Sequence, residues 1–155
     1  MQSGRRRSSV LFDLFAAGQR VRTLLATAME GSGLTPDEYA VYSALLEFEP
    51  LSPTEMAHVV GMPPTTMSHY VREMRERGHV EEEPNPRDGR SRMLRLTASG
   101  RAAHRRANLA FEEAYRRFVA GIADPDAAKR SLEEIETAAD QAVDRLARDS
   151  RARAG

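Results

Sequence analysis

Thr65, Thr66, Ser68, His69 and Arg72 share one side of a short segment whose other side is Met67, Tyr70, Val71 and Met74. Apolar residues three and four apart are the mark of an amphipathic helix, and Pro64 suits its first position. Short hydroxyls near a helix N-terminus can approach phosphate oxygens or base edges closely. The helix's unpaired amides and the positive end of its dipole add to that attraction. Arg72, one turn beyond Ser68, can reach a guanine edge or a phosphate, and His69 can donate or accept at a base. Alone, such a face is also what the wet side of any surface helix offers.

A second group lies just downstream. Pro84-Asn85-Pro86-Arg87-Asp88-Gly89-Arg90 is a turn-rich loop between two short strands, His79 to Glu83 and Met93 to Thr97. Leu94 and Leu96 alternate with Met93 and Arg95, the period of a strand with one buried side. An arginine at the tip of such a hairpin can enter a narrow minor groove, where the potential is most negative. Arg90 is the expected finger, with Asp88 two residues earlier placed to hold a neighbouring guanidinium. Arg87 and Arg92 supply further positive charge.

The elements that position these residues are legible from their ends. Ser52-Pro53-Thr54-Glu55 has the pattern of a helix start in which the serine and glutamate satisfy each other's backbone amides, and Thr35-Pro36-Asp37-Glu38 is its counterpart upstream. The helix from Ser52 has Met56, Ala57, Val59 and Val60 as its core face and Gly61 for a left-handed close. A turn of Gly61-Met62-Pro63 leads to the segment opened by Pro64, which ends at Gly78. Two short helices about a glycine-containing turn, followed by a hairpin, make a winged helix-turn-helix.

Longer helices flank it. Val10, Leu11, Leu14, Phe15, Val21, Leu24, Leu25, Ala28 and Met29 keep helical spacing until Gly31-Ser32-Gly33. Tyr39, Ala40, Tyr42, Ser43, Leu45 and Leu46 make the buried face of the helix after Thr35, which leaves at Glu49-Pro50. Thr97 can cap a helix reaching about Ile122, and Asp124-Pro125 opens a last one. In that last helix Leu132, Ile135, Ala139, Ala142, Val143 and Leu146 form an apolar seam, with Lys129 and Glu133, and Asp144 and Arg148, as opposite charges four apart. The seam and the first helix point to an intermolecular bundle, or to packing within the chain.

Composition sets the limits. The chain has 155 residues, 41% of them hydrophobic, enough for one domain with a core. Its formal net charge is zero, so nucleic-acid binding must rest on how charge is distributed. Every charged residue from Glu30 to Glu55 is acidic, whereas Arg87 to Arg106 is arginine-rich against Asp88 alone. Cysteine is absent, which removes disulfides, thiolate metal sites and thiol sensing. No apolar run approaches bilayer length and no signal peptide opens the chain, so a cytoplasmic protein is expected. His58, His69, His79 and His104 lack metal-binding spacing, and there is no phosphate loop or nucleophile elbow. Neither an enzyme nor a metal or other cofactor is expected.

Three stretches carry a resemblance to a known family: LTPDEYAVYSAL, LSPTEMAHVVGMPPTTMSHYVREMRERGHV and NPRDGRSRMLRLTASG. Together they resemble the MarR family of bacterial transcription regulators, over about residues 10–148. Asp88-Gly89-Arg90 matches the family's D-x-R wing signature, followed by the L-x-L-T of Leu94 to Thr97 and by Gly100. The resemblance implies a mainly α fold with a small β-hairpin wing, the winged helix-turn-helix being flanked by N- and C-terminal dimerisation helices. It implies a homodimer that binds double-stranded DNA at a pseudo-palindromic operator, usually as a repressor, and often lets go when a small aromatic or phenolic effector binds. The expected effector crevice lies between the dimer helices and the winged region, where Phe12, Phe15, Tyr39, Tyr42 and Phe48 either line it or are ordinary core.

This chain departs from the family pattern at three places. Pro63 stands where a serine usually caps the recognition helix, Glu81, Glu82 and Glu83 replace basic residues on the first wing strand, and Gly89 replaces a common arginine. The glutamates put like charge near DNA, which should weaken or orient binding. The organisation expected is a disordered tail over 1–8, helical dimerisation segments over 9–31 and 98–148, the winged helix-turn-helix over 32–97, and a disordered tail over 149–155. Arg5, Arg6 and Arg7 are either a phosphate-touching arm or a solvated tail. The rival reading is a winged helix that serves as a protein-interaction module without operator binding.

Overall fold

A computed structural model describes residues 9–86, 88–89 and 91–154. The elements are α1 (Val10–Ala28), α2 (Pro36–Phe48), α3 (Pro53–Val60), α4 (Pro64–Glu76), β1 (Val80–Pro84), β2 (Arg92–Leu96), α5 (Ala98–Val119) and α6 (Pro125–Ala154). The chain divides into two compact units, Met1–Ala114 and Tyr115–Gly155, with the boundary inside α5. No helix among the described residues is long and apolar enough to cross a membrane.

Helix ends in the first unit follow side-chain chemistry. Ser9 caps α1 by accepting from the Phe12 amide at 3.2 Å. Thr35 accepts from the Glu38 amide at 3.2 Å while the Glu38 carboxylate accepts from the Thr35 amide at 2.7 Å. Ser52 and Glu55 make the same reciprocal pair, at 3.3 and 2.8 Å. Each removes two otherwise unpaired amides, a device worth about 1 kcal/mol per cap. Gly61, at φ 69°, closes α3 in the left-handed conformation. Proline cannot cap by its side chain, and Pro63 leaves α4 without a side-chain cap.

The core of this unit is made by α2, α3, α4 and the hairpin, joined by Ala103 and Ala107 of α5 and by Met29 and Leu34 between α1 and α2. Val41, Tyr42, Leu45, Met56, Met67, Val71, Met74 and Leu94 are essentially fully buried. Val41 and Ala44 join the buried face of α2, whereas Leu46 and, on α3, Val59 lie exposed, contrary to expectation. Both elements meet the core over a narrower arc than their apolar composition suggests.

β1 and β2 pair antiparallel with Val80 opposite Leu96, Glu82 opposite Leu94 and Pro84 opposite Arg92. Both strands begin and end one residue away from the expected limits. The reason lies at the helix junctions: the His79 amide is taken by the Met74 carbonyl at 2.8 Å, and the Thr97 hydroxyl accepts from the Gly100 amide at 3.1 Å to cap α5. Leu51, between α2 and α3, pairs with Leu94 from the other side through hydrogen bonds of 2.8 and 3.3 Å, which ties the wing to the helices.

In the second unit Asp124 caps α6 by accepting from the Ala127 amide at 2.9 Å, and Lys129 lies 4.0 Å from Glu133. The helix runs past Arg148 to Ala154, where a disordered tail was expected. Alanine and arginine are strong helix formers, and no proline or glycine intervenes before Gly155. Residues 1–8, including Arg5 to Arg7, lie outside the described residues.

Candidate nucleic-acid interface

Burial of Met67, Val71 and Met74 decides which side of α4 faces out. Pro64, Thr65, Thr66, Ser68, His69 and Arg72 are all exposed on the opposite side, so the structure brings the expected recognition residues together on one surface. Their hydrogen bonds are partly set in advance. The Ser68 hydroxyl donates to the Pro64 carbonyl at 2.8 Å, which leaves its oxygen to accept. Nη2 of Arg72 lies 3.0 Å from Nδ1 of His69, while Nε2 of the same ring is 3.5 Å from Glu73. A guanidinium cannot accept, so Nδ1 is the acceptor and Nε2 carries the ring hydrogen toward Glu73. Arg72 is thereby held along the helix surface, with Glu76 at 3.9 Å on its far side.

The wing tip is closed by its own side chains. Asn85 donates from Nδ2 to the Ser91 hydroxyl at 2.7 Å, and the Ser91 amide donates to the Asp88 carbonyl at 3.0 Å. Asp88 is exposed beside Gly89, and Arg92 is exposed at the start of β2. Arg87 and Arg90, the expected minor-groove finger among them, lie outside the described residues.

The acidic run of β1 is largely compensated, a feature not foreseen from the sequence. Glu82 forms an ion pair with Arg75 of α4, and Glu83 lies 3.3 Å from Arg95 of β2. Glu81 faces Arg95 directly across the strands. Only the Glu81–Arg95 pairing could have been found from hairpin register; the link to Arg75 depends on how α4 docks.

Below the outer face, α4 is anchored by polar contacts. Glu38, only 7% exposed, accepts from Arg77 at 2.7 Å. Although partial desolvation pulls the other way, Glu38 holds the Arg77 guanidinium above its ordinary pKa. Glu49 binds both Arg101 of α5 and, at 2.9 Å, the Leu96 amide. Much of the acidic stretch before Glu55 thus serves to hold helices together.

The aromatics named for an effector are found in two settings. Tyr39 stacks on His104 and Phe111 with ring centroids 5.0 and 4.7 Å away, and its hydroxyl donates to Asn108 at 2.6 Å. The Tyr42 hydroxyl lies 2.7 Å from Nδ1 of His79. Both tyrosines are core residues, and burial raises both phenol pKa values. Phe12 and Phe15 on α1 and Phe48 at the end of α2 are exposed. An open cavity of about 410 Å³ lies where α1 meets α2, lined by Ala26, Met29, Gly31, Leu34, Pro36 and Glu38 among others.

Comparison with known proteins agrees with this geometry. Residues 32–91, from the turn before α2 through the wing tip, match the model of the MarR family. The HTH-type transcriptional repressor Rv2887 of Mycobacterium tuberculosis is 30% identical over 124 residues, covering 79% of this chain and 89% of the relative. The PcaV transcriptional regulator of Streptomyces coelicolor, solved in complex with its natural ligand, superposes with a TM-score of 0.72 at 26% identity, over 91% of this chain and 99% of that one. The M. tuberculosis transcriptional regulator MosR, solved in complex with DNA, shares the fold with a TM-score of 0.76 at 22% identity, over 87% and 98% of the two chains. With the family match over the helix-turn-helix and wing, and a relative 30% identical over most of both chains, the chain belongs to the MarR family of transcriptional regulators.

Proposed function

We propose that this protein is a repressor that binds a pseudo-palindromic operator as a homodimer and releases it when a small aromatic or phenolic effector binds. The observation that carries the DNA-binding part is the two-sidedness of α4: Met67, Val71 and Met74 fix it in the core while Thr65, Thr66, Ser68, His69 and Arg72 stand outside. In this reading α4 enters a major groove, and the wing, with Arg87, Asp88, Arg90 and Arg92, reaches the flanking minor groove. Rv2887, a repressor by name, supports the direction of control.

The dimer reading is supported by unburied apolar side chains. Val10, Leu11, Phe12 and Phe15 of α1 are each more than 60% exposed, and so are Val143 and Leu146 of α6. Large apolar side chains in groups are costly to leave in water and mark interfaces. Two subunits related by a twofold axis would set half-sites about 10 base pairs apart. The effector reading is supported by PcaV, solved with its natural ligand. Phe12, Phe15 and Phe48 remain candidate contacts, each exposed in the single chain.

A protein-interaction module without operator binding is favoured by one observation, the zero formal net charge. The acidic strand supports it less, since Glu82 and Glu83 are already paired with arginines.

The test is an anisotropy titration of the protein against DNA from immediately upstream of its own gene, at two salt concentrations. Tight binding to an inverted repeat that weakens steeply with salt is expected. Weak binding indifferent to sequence would overturn the operator reading in favour of the module.

A further inference from the structure

Arg22 of α1 reaches Asp37 in the first turn of α2, where its Nη1 donates to Oδ1 at 2.9 Å and to Oδ2 at 3.0 Å. The hydroxyl of Tyr70, midway along α4, donates to the same Oδ2 at 3.4 Å. One carboxylate therefore touches both α1 and the recognition helix. Farther along, α4 is held to the same turn of α2 by Arg77 and Glu38 at 2.7 Å. The two attachments differ in what they report: Glu38 is buried, whereas Asp37 is reached from α1.

We propose that Arg22, Asp37 and Tyr70 are positioning residues for DNA binding, forming a relay by which a shift of α1 alters the setting of α4. The proposal rests on the reading of α4 as the DNA-binding helix. Nη1 of Arg22 is shared between both oxygens of Asp37, so the guanidinium holds that carboxylate in place at the start of α2. Once fixed, Oδ2 stands where the Tyr70 hydroxyl can use it. The Tyr70 ring adjoins His69, with centroids 5.7 Å apart, and His69 in turn meets Arg72 on the outer face. Withdrawing Arg22 frees Asp37 to turn, leaves Tyr70 without a fixed acceptor and leaves α4 tied to α2 through Arg77.

The contacts are weak enough to act as a control. The side chains of Arg22 and Asp37 are 62% and 37% exposed, so the pair adds little to overall stability. A change in α1, from an effector or from a partner subunit, can then shift the setting of α4 by its differential contacts without unfolding anything.

The experiment uses the full chain, with wild type, Arg22→Met, Asp37→Asn, Tyr70→Phe and the double variant Arg22→Met/Tyr70→Phe. Operator affinity is measured by anisotropy, the urea midpoint by circular dichroism, and α4 amide exchange by mass spectrometry. Each single variant is expected to bind operator about three- to tenfold more weakly, with unchanged urea midpoint. The double variant is expected to be no worse than the weaker single variant, because both changes act through Asp37. Additive losses, unchanged affinities, or losses that follow a falling urea midpoint would each overturn the relay. If wild type itself ignores operator DNA, the reading of α4 fails, and exchange alone decides the relay: faster exchange in Arg22→Met supports it, and unchanged exchange overturns it.

Discussion

Glu38 and Arg77 lie 2.7 Å apart between the first turn of α2 and the residue that caps the C-terminal end of α4. The same carboxylate caps its own helix through the Thr35 amide. Two different jobs thus fall on one buried side chain. Glu38→Ala removes both, and a loss of about 2 kcal/mol is expected, read as a lower urea midpoint. Glu38→Gln, which keeps an oxygen for the cap, is expected to lose roughly half as much. Equal losses in the two variants would show that the cap contributes nothing.

Gly100 follows the start of α5, where alanine would ordinarily favour the helix. A Cβ there would run into the backbone carbonyl oxygen of His79, which cannot move aside because it accepts the Thr97 amide at 3.0 Å. Gly100→Ala is therefore expected to destabilise by about 2 kcal/mol or more, despite a helix propensity gain of about 1 kcal/mol. A stabilised variant in thermal unfolding would refute the close approach.

Acid should weaken the fold through two histidines. Burial, with help from the Arg77 and Arg106 charges, holds His79 below its ordinary value of 6.5, and burial does the same to His104. The unfolded chain then binds more protons than the folded one once pH falls below about 6.5, so stability rises with pH through that window. The urea midpoint is expected to be level above about pH 7 and to drop toward pH 5.5. His79→Gln should flatten part of this slope. A midpoint that rose on acidification would contradict it.

Arg92 and Arg72 should differ in kind if the interface is as proposed. Arg92 is exposed on the wing with no partner among the described residues, whereas Arg72 is steered by His69. Arg92→Ala is expected to weaken binding to all sequences alike and to lower the salt slope by about one. Arg72→Ala is expected to cost about 1–3 kcal/mol and relax selection at a single base pair. Binding-site selection on both variants separates the two. Identical profiles would remove the distinction.

What could be read in the sequence was what neighbours decide. The Thr35–Glu38 and Ser52–Glu55 caps, the glycine close at Gly61 and the alternation of Leu94 and Leu96 involve residues a few positions apart. Spacing reveals such features. The outer face of α4 was legible for the same reason, since its period implies a wet side. The docking contacts were not. Arg77 with Glu38, Arg22 with Asp37, Tyr42 with His79 and Arg75 with Glu82 join different elements. Each was invisible until the helices were placed, and so were the arginine partners of Glu82 and Glu83, read from the sequence as like charge near DNA. The run to Ala154 lies where a disordered tail was expected, and its alanines and arginines favour helix.

The hairpin has two edges, and among the described residues only one is occupied. Leu51 pairs with Leu94 along the outer side of β2, so strand addition is blocked there. Among the described residues nothing pairs with the outer side of β1, which leaves a row of backbone groups open to another chain. That edge carries Glu81, Glu82 and Glu83 and ends on Pro84, which has no amide hydrogen to donate. Charge and proline are the usual guards of an open edge. The acidic run that looked like a hindrance to DNA therefore also stands where an open edge needs guarding, and replacing it with basic or apolar residues to tighten DNA binding would remove that guard.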